Sequence, residues 1–261
     1  MKKGIFTYRN DITLEQQHQL IKQAGFDSIM IWWGEQKDEY LSLSNKYNLE
    51  ICNAHLPFED IRKLWTPDNN DSDEYAQWLC KQIVELGNCG VNIAVMHLSR
   101  GIDTYPCNDK GLDRLKRIVE TAEKSKVKIG FENLRLIGYL DYIFENIQSD
   151  NIGFCYDSGH HNCMCPERDL LSNFGDKLIA LHLDDNMGDS DIHMLPYDGT
   201  ADWEKVTDKL ATLNYDSVIS LEVQQDRHKM YAEMEPYEFL CTAFERASKI
   251  ETELLGKRTK V

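Results

Sequence analysis

Six consecutive strand-like segments of this chain each end in a residue able to bind a divalent metal: His55, His97, Glu132, Asp157, His182 and Glu222. Few folds gather so many successive strand ends in one place. A (β/α)8 barrel does, because its parallel strands all deliver their C-terminal ends to one rim, where the active sites of that fold lie.

The segments are short β-branched or apolar runs at 4–8, 28–33, 49–55, 92–98, 128–134, 152–157, 179–183 and 217–223, separated by intervals long enough for a βα crossover. Continuous apolar stretches such as Ile93-Ala94-Val95-Met96 fit strands covered on both faces, as in a parallel sheet. Between them, residues 14–24, 72–86, 112–125 and 203–213 carry apolar side chains at helical spacing. Thr13 followed by Gln16 predicts a capping box, Asp202 predicts a cap before Trp203, and Gly25, Gly87 and Gly90 stand where helices should stop. A doubly wound open sheet shares this alternation, but eight strands and ligands converging from so many of them favour the closed barrel.

With 261 residues, 42% of them hydrophobic, 15 Gly, 6 Pro and no low-complexity stretch, the chain reads as one barrel domain over 1–261. No apolar run approaches the ~20 residues of a membrane span, and Met1-Lys2-Lys3-Gly4 leads into a strand rather than a signal-peptide core, so a cytoplasmic protein is expected. Eight scattered cysteines predict reduced thiols, with Cys163-Met164-Cys165 as an ordinary loop. A net charge of −15 disfavours a nucleic-acid partner, because such affinity comes from Lys and Arg neutralising phosphates and no basic run is present. No exposed apolar stripe marks an interface, although barrels of this kind frequently form homo-oligomers.

The metal candidates fall into two layers. Glu132, Asp157, His182 and Glu222 offer three carboxylates and one imidazole, a mixed oxygen and nitrogen set suited to Zn, Mn or Co, with Mg behind them. Burying several unpaired carboxylates at one rim requires compensating cations or hydrogen bonds. His55, His97, His160, Asp191 and His193 stand ready to bind further metal, to contact substrate or to orient the first four; one metal site is expected, with up to three. Trp32 or Trp33 is a candidate for stacking on a substrate, and Arg9, Arg100, Arg135 and Arg227 for gripping an anion.

Phe-Glu-Asn at 131–133, Tyr-Asp-Ser-Gly-His at 156–160, Leu-His-Leu-Asp-Asp-Asn at 181–186, Asp-Ile-His at 191–193 with Pro196, and Leu-Glu-Val at 221–223 occur in that order. This ordered set resembles the xylose isomerase-like TIM-barrel superfamily, and within it the group of sugar phosphate isomerases and epimerases and family 2 AP endonucleases. The isomerase branch implies that Glu132, Asp157, His182 and Glu222 hold one divalent metal. It also implies that Glu132 and Glu222 act as the acid/base pair on a small carbohydrate through a metal-stabilised enediolate. The same start followed by loss of a β-hydroxyl implies a dehydratase. The endonuclease IV branch would recruit all nine candidates as a three-zinc phosphodiesterase. A barrel that binds sugar or metal without turnover is the remaining alternative, disfavoured by the presence of both glutamates. The chain departs from the isomerase pattern at Tyr197, where many relatives carry glycine, and at Asp184, where relatives carry lysine.

Overall fold

A computed structural model of the chain describes residues 1–7, 9, 11–67 and 70–258. Its strands are β1 (Lys3–Phe6), β2 (Ser28–Trp32), β3 (Glu50–His55), β4 (Ile93–Met96), β5 (Lys128–Glu132), β6 (Ile152–Asp157), β7 (Leu178–His182) and β8 (Ile219–Glu222). All pair in parallel in the order β7-β6-β5-β4-β3-β2-β1-β8. One parallel bridge, Leu183 to Leu221, brings the two outer strands together and nearly closes the ring. The chain is a single-domain (β/α)8 barrel. All eight sequence segments overlap a strand: β1 and β7 begin one residue before their segments, other ends are trimmed by up to two residues, and Tyr8 lies outside the described residues.

The helices are α1 (Leu14–Gln23), α2 (Lys37–Tyr47), α3 (Asn70–Asn88), α4 (Asp109–Ser125), α5 (Gly138–Asn146), α6 (Ser158–Met164), α7 (Leu170–Phe174), α8 (Trp203–Thr212) and α9 (Pro236–Arg258). Thr13 and Gln16 form the expected capping box, and the Asp202 side chain accepts from the Lys205 amide. Gly25 and Gly90 take left-handed backbone just past helix ends. Gly87 does not stop a helix: it lies inside α3, where a Cβ would stand 2.6 Å from the Ser125 carbonyl oxygen at the end of α4. Its smallness lets the two helices approach. Likewise Cys163-Met164-Cys165 is not a loop but the closing turn and cap of α6. All eight cysteines are free.

Two register irregularities aim the lumen side chains. In β2/β3, Ile29 pairs with Ile51 but Met30 with Asn53, so Cys52 is an extra residue. In β6/β7 the extra residue is Ile179, after which Asp157 pairs with His182. A bulge shifts register by one, and a one-residue shift reverses which side chains face inward. Among the described residues, no helix is long and apolar enough to cross a membrane.

Helix α4 packs on Trp65 through Gly111, where a Cβ would come within 2.2 Å of the indole. Gly111→Ala is expected to destabilise the fold by about 1–3 kcal/mol through overpacking, despite the better helix propensity of alanine. Urea midpoints at unchanged slope measure it.

Candidate metal centre and substrate cavity

The strand ends converge as the alternation of inward side chains requires. Glu132, Asp157, His182 and Glu222 each offer a donor atom, and these atoms lie within 4.8 Å of one another. His182 Nδ1 is 2.8 Å from Glu132 Oε1 and 2.8 Å from Glu222 Oε2. Asp157 divides its oxygens: Oδ1 caps α6 by accepting from the His160 amide at 2.6 Å, while the buried Oδ2 has no hydrogen-bond partner. Asn133 holds the Asp157 backbone from both sides, donating to its carbonyl and accepting from its amide at 2.8 Å each. An orphaned carboxylate oxygen beside two further carboxylates and an imidazole fits a divalent cation of the Zn, Mn or Co type.

Protonation states carry the same message. Burial pushes Asp157 well above the usual carboxylate range. Burial opposes ionisation of Glu222 too, but the adjoining His182 outweighs it and brings that carboxyl down to about 2. Burial disfavours charge on His182, yet Cys155, Glu222 and Glu132 together raise it well above its ordinary value. Without a cation, protons must balance the cluster.

The remaining candidates arrange themselves around this group. Glu132 Oε2 lies 2.6 Å from His97 Nε2 and 3.3 Å from His55 Nε2, making a second donor set that shares Glu132. His55 Nδ1 bonds the Leu56 carbonyl at 2.8 Å, which turns Nε2 toward the site. A third set joins Asp184, Asp191 and His193. Asp191 Oδ2 stands 3.4 Å from His160 Nε2 and 3.3 Å from His193 Nε2, and Asp184 Oδ2 is 3.3 Å from His193 Nδ1. Burial pushes Asp184 up to about 6. All nine sequence candidates thus meet at one rim, and Asp184 joins them.

A cavity of about 680 Å³ opens over these residues, with Trp32, Phe58, Gln36 and Gln224 in its wall. Trp32 stacks on His55 at a centroid distance of 4.9 Å, and Phe58 on His97 at 4.0 Å. Trp33 turns the other way and is fully buried in the core. Arg227 lines the cavity, but Arg100 and Arg135 do not. Arg100 donates to the Glu59 carbonyl at 3.0 Å, and Arg135 is exposed on the turn before α5. Arg9 pairs with Asp11. Phe58 and Asn53, whose Oδ1 is 3.3 Å from His182 Nε2, went unread in the sequence. Asn53 had a weak signal, standing two residues before His55 on an apparent strand.

The loop after β7 is built on Asp185. Its carboxylate accepts from the amides of Asn186, Tyr197 and Ala201 and from Trp203 Nε1 at 2.7 Å. His193 and Tyr197 take left-handed backbone at φ 47° and 74°. Tyr197 does not face the cavity: its hydroxyl reaches Glu253 at 3.0 Å, tying the loop to α9.

The family described as xylose isomerase-like TIM barrel matches residues 19–242. The chain belongs to that family. An uncharacterized protein of Sinorhizobium fredii, y4fM, is 40% identical over 116 residues, 44% of this chain and 36% of that one, so this chain spans little more than a third of its length. An uncharacterized protein of Methanocaldococcus jannaschii, MJ1311, is 28% identical over 236 residues, 81% of this chain and 77% of that one. Among solved structures, a D-tagatose 3-epimerase-like protein superposes with a TM-score of 0.74 at 22% identity, over 100% of this chain and 99% of that one. The IolI protein with a bound zinc atom also superposes at 0.74, with 18% identity over 98% of this chain and 99% of that one. At such identities the likeness is one of fold.

Burial brings His97 down to about 4 from 6.5. The unfolded chain therefore takes up a proton below pH 6.5 that the folded protein refuses until about pH 4. The resulting stability is complete above pH 6.5 and is lost as pH falls through that window, by up to about 3 kcal/mol. Asp184 acts oppositely, since its raised value favours folding at low pH and that contribution fades as pH rises through about 6. Chelator-treated His97→Gln protein is expected to show a weaker loss of stability than wild type between these limits, read from urea midpoints.

Proposed function

We propose that this barrel is a divalent-metal-dependent sugar epimerase or isomerase. The observation that carries the reading is the placement of Glu132 and Glu222, on β5 and β8, either side of His182 Nδ1 at 2.8 Å each and under a sugar-sized cavity. When bound, the metal would be held by Glu132, Asp157, His182 and Glu222 and would supply polarisation of a substrate carbonyl, making the α-proton more acidic. Glu222, the less buried of the two glutamates and ionised near neutrality, is placed to take that proton. Glu132, whose Oε2 meets His97 Nε2 at 2.6 Å and which, against its burial, its histidine neighbours keep ionised in the metal-free protein, would have to enter the cycle protonated to return a proton from the opposite side, with Glu222 then releasing the abstracted proton to solvent. Return to the same carbon on its other face gives epimerisation, and return to the neighbouring carbon gives isomerisation. The rings of Trp32 and Phe58 line the cavity and offer apolar surface that suits the apolar face of a sugar ring.

A second reading has its own observation. The three donor sets around Glu132, around His182 and around His193 are what a multi-zinc phosphodiesterase of the endonuclease IV kind would use. Against it stands the net charge of −15, which repels a polyanionic duplex.

Glu222→Gln is expected to lower turnover of ketoses or their phosphates by roughly 10²–10⁴-fold, with sugar binding retained in calorimetry. Wild-type turnover in that variant would sink the assigned role. Elemental analysis of protein purified without chelator is expected to give one divalent metal per chain. Near three zincs together with cleavage of an abasic duplex would establish the second reading instead.

A further inference from the structure

Beneath the metal-binding carboxylates, the lumen holds a polar side chain that the function above does not use. Asn53 is 2% exposed and lies on β3, across the eight-stranded ring from His182 on β7. The bulge at Cys52 sends consecutive side chains inward: Cys52 Sγ lies at the Gly4 and Ser28 level of the lumen, while Asn53 points on toward the metal centre. Asn53 Oδ1 is 3.3 Å from His182 Nε2, and its amide nitrogen faces Cys52 Sγ at 3.8 Å.

A neutral imidazole carries one proton, and two sets of acceptors compete for it here. At Nδ1 stand the carboxylates of Glu132 and Glu222, and at Nε2 stands the Asn53 carbonyl oxygen. A proton on Nδ1 satisfies the carboxylates but closes the position to a cation, since a metal ligand must present a free lone pair. We propose that Asn53 is the positioning residue of the metal centre. Its Oδ1 holds the His182 proton on Nε2, so that Nδ1 meets the metal together with Glu132, Asp157 and Glu222. With a cation at Nδ1, the neutral ring meets the Asn53 carbonyl oxygen only by carrying its proton on Nε2. Cys155 Sγ also lies within 4.8 Å of donor atoms of Glu132 and His182.

The inference rests on the divalent-metal reading, and one experiment separates the two. Metal-stripped wild type, Asn53→Leu and Asn53→Asp are titrated with zinc against a chromophoric chelator. His182 is followed in long-range proton–nitrogen spectra, assigned with a His182→Gln sample. Asn53→Leu, of the same branched outline and heavy-atom count but without an acceptor, is expected to bind zinc roughly ten- to a hundredfold more weakly. Asn53→Asp keeps an acceptor and is expected to bind as tightly as wild type or more so. Zinc-loaded wild type is expected to carry its His182 proton on Nε2. Wild-type zinc affinity in folded Asn53→Leu overturns the proposal, as does a tenfold loss in Asn53→Asp. If Asn53→Leu fails to fold, the wild-type spectrum decides, and a proton on Nδ1 in the zinc-loaded protein overturns the proposal. Absence of zinc binding by wild type would instead bring down the metal reading itself.

Discussion

The contact on which the rest of the structure turns is the approach of two buried carboxylates, Glu132 and Glu222, to one imidazole nitrogen at 2.8 Å each, with the orphaned Oδ2 of Asp157 beside them. Like charges packed this closely out of water are unfavourable unless a cation or protons balance them. The surrounding protein answers by using one end of several site residues and leaving the other free. Asp157 caps a helix with Oδ1, His55 binds a backbone carbonyl through Nδ1, and His182 meets Asn53 through Nε2. In each case the remaining donor atom points at the centre. Such half-tied side chains keep a binding geometry without the metal's help, which lowers the ordering entropy that binding must overcome.

That geometry depends on backbone devices as much as on side chains. The bulges at Cys52 and Ile179 reset the register of β3 and β7, and only after them do Asn53, His55 and His182 face the lumen at the right height. Asp185 uses both carboxylate oxygens on four donors of the following loop, and that loop carries Asp191 and His193 back over the site. Gly199 leaves no room for a Cβ against Asp185, and Gly159 none against Asp184. Two non-glycine residues of the same loop, His193 and Tyr197, are held in left-handed backbone. Tyr197 is kept there by its hydrogen bond to Glu253 and by its ring packed near Trp203. The loop is therefore shaped from beneath by a buried carboxylate and from outside by α9.

Legibility followed the range of the interactions. Strand periodicity and terminal His, Asp and Glu residues are local signals, and from them the barrel and the convergence of six strand-end candidates are legible in the sequence, whereas His160, Asp191 and His193 stand in the following turns and loop. Element ends were less legible, as at Gly87, because whether a helix continues past a glycine depends on the neighbour that closes on it. Arg100 and Arg135, read as candidates for gripping an anion, do not line the cavity for a related reason: nearness to a strand end does not set the direction of a long side chain, and Arg100 is held by a carbonyl on another loop.

What the sequence determined alone is the fold class and the donor chemistry of the rim, because both follow from residue type at strand spacing. What only the tertiary structure decided is which atom of each residue is free. Asn53 meets His182 across 129 positions of chain, Glu132 is shared among three donor sets, and Asp184 faces His193 rather than an anion. Those relations arise from register, ring closure and loop return, none of which leaves a periodic trace in the residues themselves.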